Sequence, residues 1–492
     1  MKGIKLAAGA CVVAVSVAAA VALVPAELRV VHVFPGQNGP NPPDAPTVSA
    51  DMMGGVSPRF LVGLINGGFT VRSKTDGKEV QPYQTLQQFW EAAFKNSGQE
   101  LPAKPYDPKI LFDPLSSRWF AASDGWGTPM SKHWFIAVSA DDDPTHAWKA
   151  VDYEANVLVD NVKLAVDKYS LYSTALPAGR VESPKTPILV MPKSDLLWKG
   201  STGPSLEHAN YFEAPVNRLP DNKADGAEGL VPALDLDPDK KRGEPVVYVN
   251  RYRTEVDGET FIQVRKITWT SPTKAALSEP VNIGLGAHYG VQPTTRGIQP
   301  ALPDGLHAPG LAPSEGRAVN AVAHDGSVWT IAATEINNRV GAFWAQIDVK
   351  TMKLVQHGTL ADPEADLLFP SLSVDARGNL GIAMSRTSAT EALSTYVTGR
   401  LRTDPPNTLR PLVRAVQGRY VFFNKNTDLT KPGQGVPTSD YATTVLDPSD
   451  RTLFWSYQFA ATNDCMPKET NAGRYATHWV AFRVDGAAAT KR

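Results

Sequence analysis

The chain has 492 residues, and its 49 Lys and Arg nearly cancel its 50 Asp and Glu, for a net charge of −1. So even a balance excludes the basic footprint of a nucleic-acid binder, and 40 prolines with 38 glycines exclude a helical protein and suit short strands joined by many turns. The only cysteines are Cys11 and Cys465, so a thiolate metal site is excluded, as is any internal disulfide once Cys11 is lost with a processed N-terminus.

Met1-Lys-Gly-Ile-Lys5 is basic, and residues 6–24 form an unbroken run of apolar and small side chains. This predicts either a signal peptide, with Val24-Pro-Ala26 as the cleavage region, or a single membrane anchor, since the run is near the roughly 20 residues that span a bilayer. A lipoprotein reading at Cys11 is disfavoured because the apolar run lies on the wrong side of the cysteine. Residues 1–26 are therefore read as signal peptide or anchor. The expected location is exported: periplasmic, envelope or extracellular, with membrane contact only through this segment. Residues 27–55, which include Pro35, Pro40, Pro42, Pro43 and Pro46, read as an extended linker. The main domain is expected over 56–488, with a frayed tail.

Within that domain one pattern recurs. Alternating apolar residues lead into an Asp, a short polar gap follows, and a second apolar strand begins. The clearest copy is Phe369-Pro-Ser-Leu-Ser-Val-Asp-Ala-Arg-Gly-Asn-Leu-Gly-Ile-Ala-Met-Ser385, in which Asp375 and Gly378 supply the turn. Other copies run from Lys109 to Asp113 and on to Trp119, from Lys163 to Asp167 and on to Ser170, from Leu230 to Asp237 and on to Pro245, from Ala318 to Asp325 and on to Val328, and from Tyr441 to Asp447 and on to Thr452. A weaker seventh joins 59–65 to 69–72 through Asn66-Gly67-Gly68. Most are followed by a third apolar strand. Three or four antiparallel strands repeated along the chain are blades, and the predicted fold is an all-β propeller of six or seven four-stranded blades, against a large sandwich or a multidomain β protein. One short helix is expected as an insertion over 83–96, where Leu86, Phe89, Trp90, Ala93 and Phe94 share a helical face. Residues 198–228 read as a polar, irregular insertion.

In such a fold the turns inside the hairpins lie on one face, so Asp113, Asp167, Asp325, Asp375 and Asp447 are read as turn formers. A ligand site is expected on the opposite face, among residues that precede first strands or follow second strands. These include Asp107, Lys109, Asp124, Trp126, Asp160, Lys163, Arg251, Arg317, Glu335, Arg386, Asp440 and Tyr441. Carboxylates, bases and aromatics mixed in this way suit a polar or carboxylate-bearing ligand such as a glycan, which Arg grips bidentately. The competing reading is a water-facing rim whose charges pair with one another. Asp141-Asp-Asp-Pro144 offers oxygens to Ca²⁺ but reads better as a solvated turn, and the nine histidines show no ligand spacing. No metal and no cofactor are expected, and the chain is expected to be a monomer.

The ordered segments Asp113-Pro-Leu-Ser-Ser-Arg-Trp119, Val138-Ser-Ala-Asp-Asp-Asp-Pro-Thr-His-Ala-Trp148, Pro192-Lys-Ser-Asp-Leu196, Phe369-Pro-Ser-Leu-Ser-Val374 and Asp440-Tyr-Ala-Thr-Thr-Val-Leu-Asp447 resemble exported bacterial proteins of the sialidase-like β-propeller superfamily. The resemblance spans roughly 55–485 and implies the propeller fold. Sialidases of that superfamily use an arginine triad, a tyrosine nucleophile with a glutamate partner, and an aspartate acid/base. The corresponding candidates are Arg251, Arg317 and Arg386, then Tyr441 with Glu335, then Asp124 or Asp160. None stands in a matching motif, and His324-Asp-Gly-Ser-Val-Trp329 and the 373–380 segment are only degenerate Asp boxes. Three functions follow as expectations: a propeller that binds a polar ligand in its funnel with Lys163, Asp440, Trp126 and the arginines, a sialidase-like hydrolase or lyase, and an envelope scaffold.

Overall fold

The computed structural model describes residues 28–39, 50–126, 132–177, 185–215, 229–253, 259–462 and 475–485, apart from 288, 290–292, 304, 314–315, 317 and 424–426. The repeat resolves, among the described residues, into seven antiparallel blades, five of them separate four-stranded sheets and two joined in one nine-stranded sheet. Blade 1 is Met53–Val56, Phe60–Ile65, Gly68–Ser73 and Gln84–Thr85. Blade 2 is Lys104–Asp113, Arg118–Trp126, His133–Ser139 and Trp148–Glu154. Blade 3 is Val159–Val166, Ser170–Pro177, Lys185–Pro192 and Asn210–Pro215.

Blade 4 comprises Val231–Leu234, Val246–Arg253 and Thr260–Trp269, with an outer edge split between Ala275–Leu277 and Val281–Gly284. Blade 5 is Ala318–His324, Ser327–Ile336, Arg339–Asp348 and Lys353–Leu360. Blade 6 is Ala365–Val374, Leu380–Ser388, Ser394–Arg400 and Val413–Val416. First strands of successive blades neighbour one another all the way round, and that of blade 7 meets that of blade 1. Blades 4 and 5 are joined further by a short parallel pairing, Ala233 with Ala321 and Leu234 with Val322. The fold is a closed seven-bladed propeller.

Blade 7 corrects the expected linker. Its inner strands are Thr443–Leu446, Phe454–Phe459 and Tyr475–Val484, and its outermost strand is Leu28–Gly39 from the start of the chain. Leu28 pairs with Val484 and Phe34 with Trp479. Pro35 is tolerated because this strand is a sheet edge, where a missing N–H costs no ladder bond. Met53, assigned to the same linker, opens blade 1. The seventh hairpin is thus strands two and three of blade 1, one step out of phase with the others. The N-terminal apolar run and Cys465 lie outside the described residues.

Four of the five hairpin aspartates do the turn chemistry expected of them. Asp375 Oδ1 accepts from the N–H groups of Arg377 and Asn379, and Asp167 Oδ1 from those of Tyr169 and Ser170. Asp447 accepts from the Ser449 and Asp450 N–H groups and from Trp455 Nε1. Asp113 accepts from the Leu115 N–H and from Ser116 Oγ. Asp325 instead takes φ +47° and pairs on the surface with Arg402. Two of these carboxylates also tie blades together: Lys193 of blade 3 reaches Asp113 of blade 2 at 2.5 Å, and Lys74, just past the third strand of blade 1, reaches Asp447 of blade 7 at 2.9 Å.

The inserted helix runs Leu86–Asn96, with Thr85 and Gln88 forming a reciprocal capping box that satisfies two otherwise orphaned donors. Its face of Phe89, Trp90 and Phe94 packs on Phe69, Phe135 and Trp148 between blades 1 and 2. Of the insertion expected over 198–228, residues 216–228 lie outside the described residues, and 198–215 is less irregular than its composition suggests. Lys149 Nζ donates to the carbonyls of Gly200, Ser201 and Thr202, and Asn210–Pro215 is the fourth strand of blade 3. Asp141 and Asp143 are spent on local turn bonds, and Asp141 also pairs with His146.

Two long excursions pack over the first-strand ends of blades 6 and 7. Gly310–Leu311 pairs in parallel with Gly435–Val436. The Ile298 N–H donates to Asp366 Oδ2, and Thr387 Oγ1 donates to the Ile298 carbonyl. Leu311, Val436 and Phe422 join Phe369, Leu368, Met52 and Ala50 in one apolar cluster.

Candidate functional site

Blades 2 and 3 open with the same irregularity. Strand register slips between Tyr106 and Lys109 in blade 2 and between Asp160 and Lys163 in blade 3. Asp107 and Asn161 at these bulges have φ of +45° and +48°, and Asp51, just ahead of blade 1, has +48°. Asp and Asn are the non-glycine residues that accept this conformation best, and a bulge re-aims the side chains beside it. Lys109 and Lys163, each two residues past a bulge residue, hold matching places in adjacent blades. Blade 6 has the same slip, but there Phe369 takes φ +54° and turns into the apolar cluster.

Carboxylate oxygens of Asp107, Asp124 and Asp160 lie within 4.8 Å of one another. Asp124 comes from the second strand of blade 2, opposite Tyr106. A polar net positions Asp107 from the neighbouring blades. Asn66 Nδ2 donates to Asp51 Oδ2 at 2.7 Å and to Asp107 Oδ1 at 3.3 Å, the Asp107 N–H donates to Asn66 Oδ1 at 2.9 Å, and the Asp440 N–H donates to Asp51 Oδ1 at 2.7 Å. Lys163 Nζ donates to Asn161 Oδ1 at 2.6 Å. Tyr441, from blade 7, lies beneath both lysines, its ring centroid 2.8 Å from Lys109 Nζ and 5.2 Å from Lys163 Nζ, and its hydroxyl donates to the Pro108 carbonyl.

Asp51, Asp107, Lys109, Asp124, Asn161, Lys163 and Tyr441 are almost fully withdrawn from water, while Asn66, Asp160 and Asp440 are partly exposed. Burial, reinforced by Asp124, pushes Asp107 up to about 8. Burial and then Asp160 hold Asp124 well above the carboxylate range. Burial, with Lys163 adding like-charge repulsion, holds the Lys109 amine well below the usual range, and burial raises the Tyr441 phenol. Each group resists charging because water is excluded and neighbours of like sign are close.

No family model matches the chain, and no curated protein matches it. Solved structures do resemble it. An α-L-arabinofuranosidase from Fusarium graminearum, solved with an iminosugar inhibitor, is 10% identical over 65% of this chain and 92% of its own, with a TM-score of 0.31. Drosophila Plexin A, in complex with Semaphorin 1b, is 8% identical over 93% and 88%, with a TM-score of 0.41. The Dos1 propeller is 7% identical over 92% and 96%, with a TM-score of 0.38.

The channel mouth assembles some of the expected residues and disperses others. Asp124, Asp160, Lys163 and Tyr441 converge, with Asp440 one hydrogen bond away through Asp51. Trp126 ends the second strand of blade 2, its side chain outside the described residues, as is Arg317. Arg251 is buried at the junction of blades 4 and 5, where it donates to the carbonyls of Gly316 and Ala333. Arg386 is held in blade 6 by Asp362 and Glu391. The two arginines thus sit in different blades on different partners. Glu335 accepts from Thr294 and Thr295 and fastens that loop to blade 5. It does not pair with Tyr441, whose hydroxyl is committed to Pro108. Asp51 and Asn66 escaped the sequence reading because one stood in the presumed linker and the other in a turn.

Proposed function

We propose that this chain is an exported, monomeric propeller that binds a polar, hydroxyl- or carboxylate-bearing ligand of the glycan type at the first-strand end of its channel. The observation that carries this reading is the convergence of Asp107, Asp124, Asp160, Lys109 and Lys163 from two adjacent blades, buried over a tyrosine from a third. Structural charges are usually neutralised by each other, whereas Lys109 Nζ and Asp124 Oδ1 have no hydrogen-bond partner. Buried polar atoms left in that state are expensive to keep and suit a ligand's hydroxyls and carboxylate. The test is a thermal-shift screen against neutral sugars, uronic acids and sialic acid. A concentration-dependent rise in melting temperature that Lys163→Met and Asp160→Asn abolish supports the reading, and a rise indifferent to both substitutions defeats it.

A second reading, a sialidase-like hydrolase, is favoured by the nearness of Asp124 to Tyr441 with Asp160 beside Asp124. In it the aspartates serve as acid and base. The position of Tyr441 weighs against its acting as nucleophile, because burial disfavours the phenolate and Glu335 is elsewhere. Release of aryl alcohol from chromogenic glycosides, lost in Asp160→Asn, supports hydrolysis over binding alone.

A further inference from the structure

We propose that Asp107, Asp124 and Asp160 form a binding site for one hard divalent cation of the Ca²⁺ or Mn²⁺ class, a property separate from the ligand reading above. Oxygen ligands stand about 2.3–2.6 Å from Ca²⁺, so any two around one ion are at most about 5 Å apart. The three aspartate oxygens meet that limit, all lying within 4.8 Å of one another. Carboxylate oxygen alone, without imidazole or thiolate, selects hard ions.

A second observation points the same way without relying on spacing. Asp124 is 2% exposed, and its Oδ1 has no hydrogen-bond donor. A buried carboxylate oxygen in that state lacks a hydrogen-bond donor of its own, even though the Asn161 N–H reaches the same carboxyl group and Lys109 attracts it. Neither nearby lysine hydrogen-bonds that oxygen. Lys109 Nζ, on a residue 3% exposed, makes no hydrogen bond and rests on the Tyr441 ring, while Lys163 Nζ donates to Asn161. The carboxylates are also preorganised: Asp107 is locked by Asn66, and both it and Asp160 stand at bulges. Three protein oxygens leave further coordination positions for water or a ligand hydroxyl, and the partly exposed Asp160 marks the side from which they would come.

The experiment is isothermal titration of the purified, EDTA-stripped full-length chain with Ca²⁺ and with Mn²⁺, no sugar present, alongside thermal melting. The expected result is one ion per chain and a higher melting temperature. Asp124→Asn and Asp160→Asn should each weaken binding about tenfold or more, because ligand charge sets affinity. Lys109→Met, which removes the buried amine beside the three carboxylates, should bind as tightly or more tightly. Absence of both heat and a melting shift at millimolar ion overturns the proposal. So does an affinity unchanged in both aspartate variants, or one markedly weakened in Lys109→Met. Should Asp124→Asn fail to fold, the more exposed Asp160→Asn decides. Because no sugar is present, a negative titration leaves the ligand reading standing, and a failed sugar screen leaves this one standing.

Discussion

Aspartates stand at both ends of the innermost strands, and the two ends treat them oppositely. At the hairpin end, Asp113, Asp167, Asp375 and Asp447 accept from backbone N–H groups, and Asp113 and Asp447 take a lysine from the next blade as well. That end encloses a cavity of about 830 Å³, its wall mixing Val56, Leu111, Phe112 and Val322 with Asp235 and Arg451. At the other end, Asp107, Asp124 and Asp160 crowd together, and Asp124 Oδ1 has no hydrogen-bond donor. Where a carboxylate has its donors, it is part of the architecture. Where buried carboxylates face each other instead, each becomes harder to ionise.

The largest effect should come from breaking the satisfied end. Asp447→Ala removes the acceptor for two backbone N–H groups and Trp455 Nε1 and strands Lys74 in the seam between blades 7 and 1. Denaturant unfolding should show a loss of about 3–5 kcal/mol, the range for removing one partner of a buried ion pair. Next is Lys193→Met, which leaves Asp113 its turn donors but takes its cation. It should cost about 2–3 kcal/mol, and a cycle with Asp113→Asn should give a coupling of roughly 1–3 kcal/mol.

The crowded end should behave with the opposite sign. Asp124→Asn replaces a buried carboxyl that resists charging and whose Oδ1 lacks a donor, so unfolding should show stability unchanged or raised by about 1 kcal/mol, while the ligand response is lost and cation binding weakens about tenfold or more. If Asp124→Asn destabilises as much as Asp447→Ala, the contrast between the ends fails. The smallest effect concerns acid. Arg483 holds the Asp450 carboxyl below its usual range at the hairpin end of blade 7. A depressed carboxylate stabilises the fold above the ordinary carboxylate pKa of about 4, and that contribution fades as pH falls through the depressed value. Because Asp450 is 41% exposed, the gain is under about 1 kcal/mol, and Asp450→Asn should flatten the acid limb of the unfolding profile by that little.

The hairpin end was the legible one. An Asp before a short gap and a second apolar strand is a local pattern, and its hydrogen bonds close within a few residues, as Asp375 to Asn379 shows. Blade 7 was half legible. Its inner strands follow the repeat, but nothing in Leu28–Gly39 announces a partner at the far end of the chain, and Pro35 argues against a strand until it is known to be an edge. The charged mouth could be read only as a set of candidates. Asp124 and Lys163 fell together because bulges in two blades aligned them, whereas Arg251 and Glu335, equally plausible on position, were claimed by carbonyls and by a loop. Phe369 carries the same lesson: the strained position that holds Asp107 in blade 2 anchors the excursions 297–311 and 422–436 in blade 6.

Pairing Leu28 with Val484 makes the first described strand wait for the last. During synthesis the ring stays open until nearly the whole chain exists, with Leu28–Gly39 unpaired and the flanks of blades 1 and 7 uncovered. Such a long closure is slow to find and leaves a strand edge open to wrong partners in the meantime. Once made, it latches the first and last described strands into one sheet, so that neither can peel away without breaking the seventh blade.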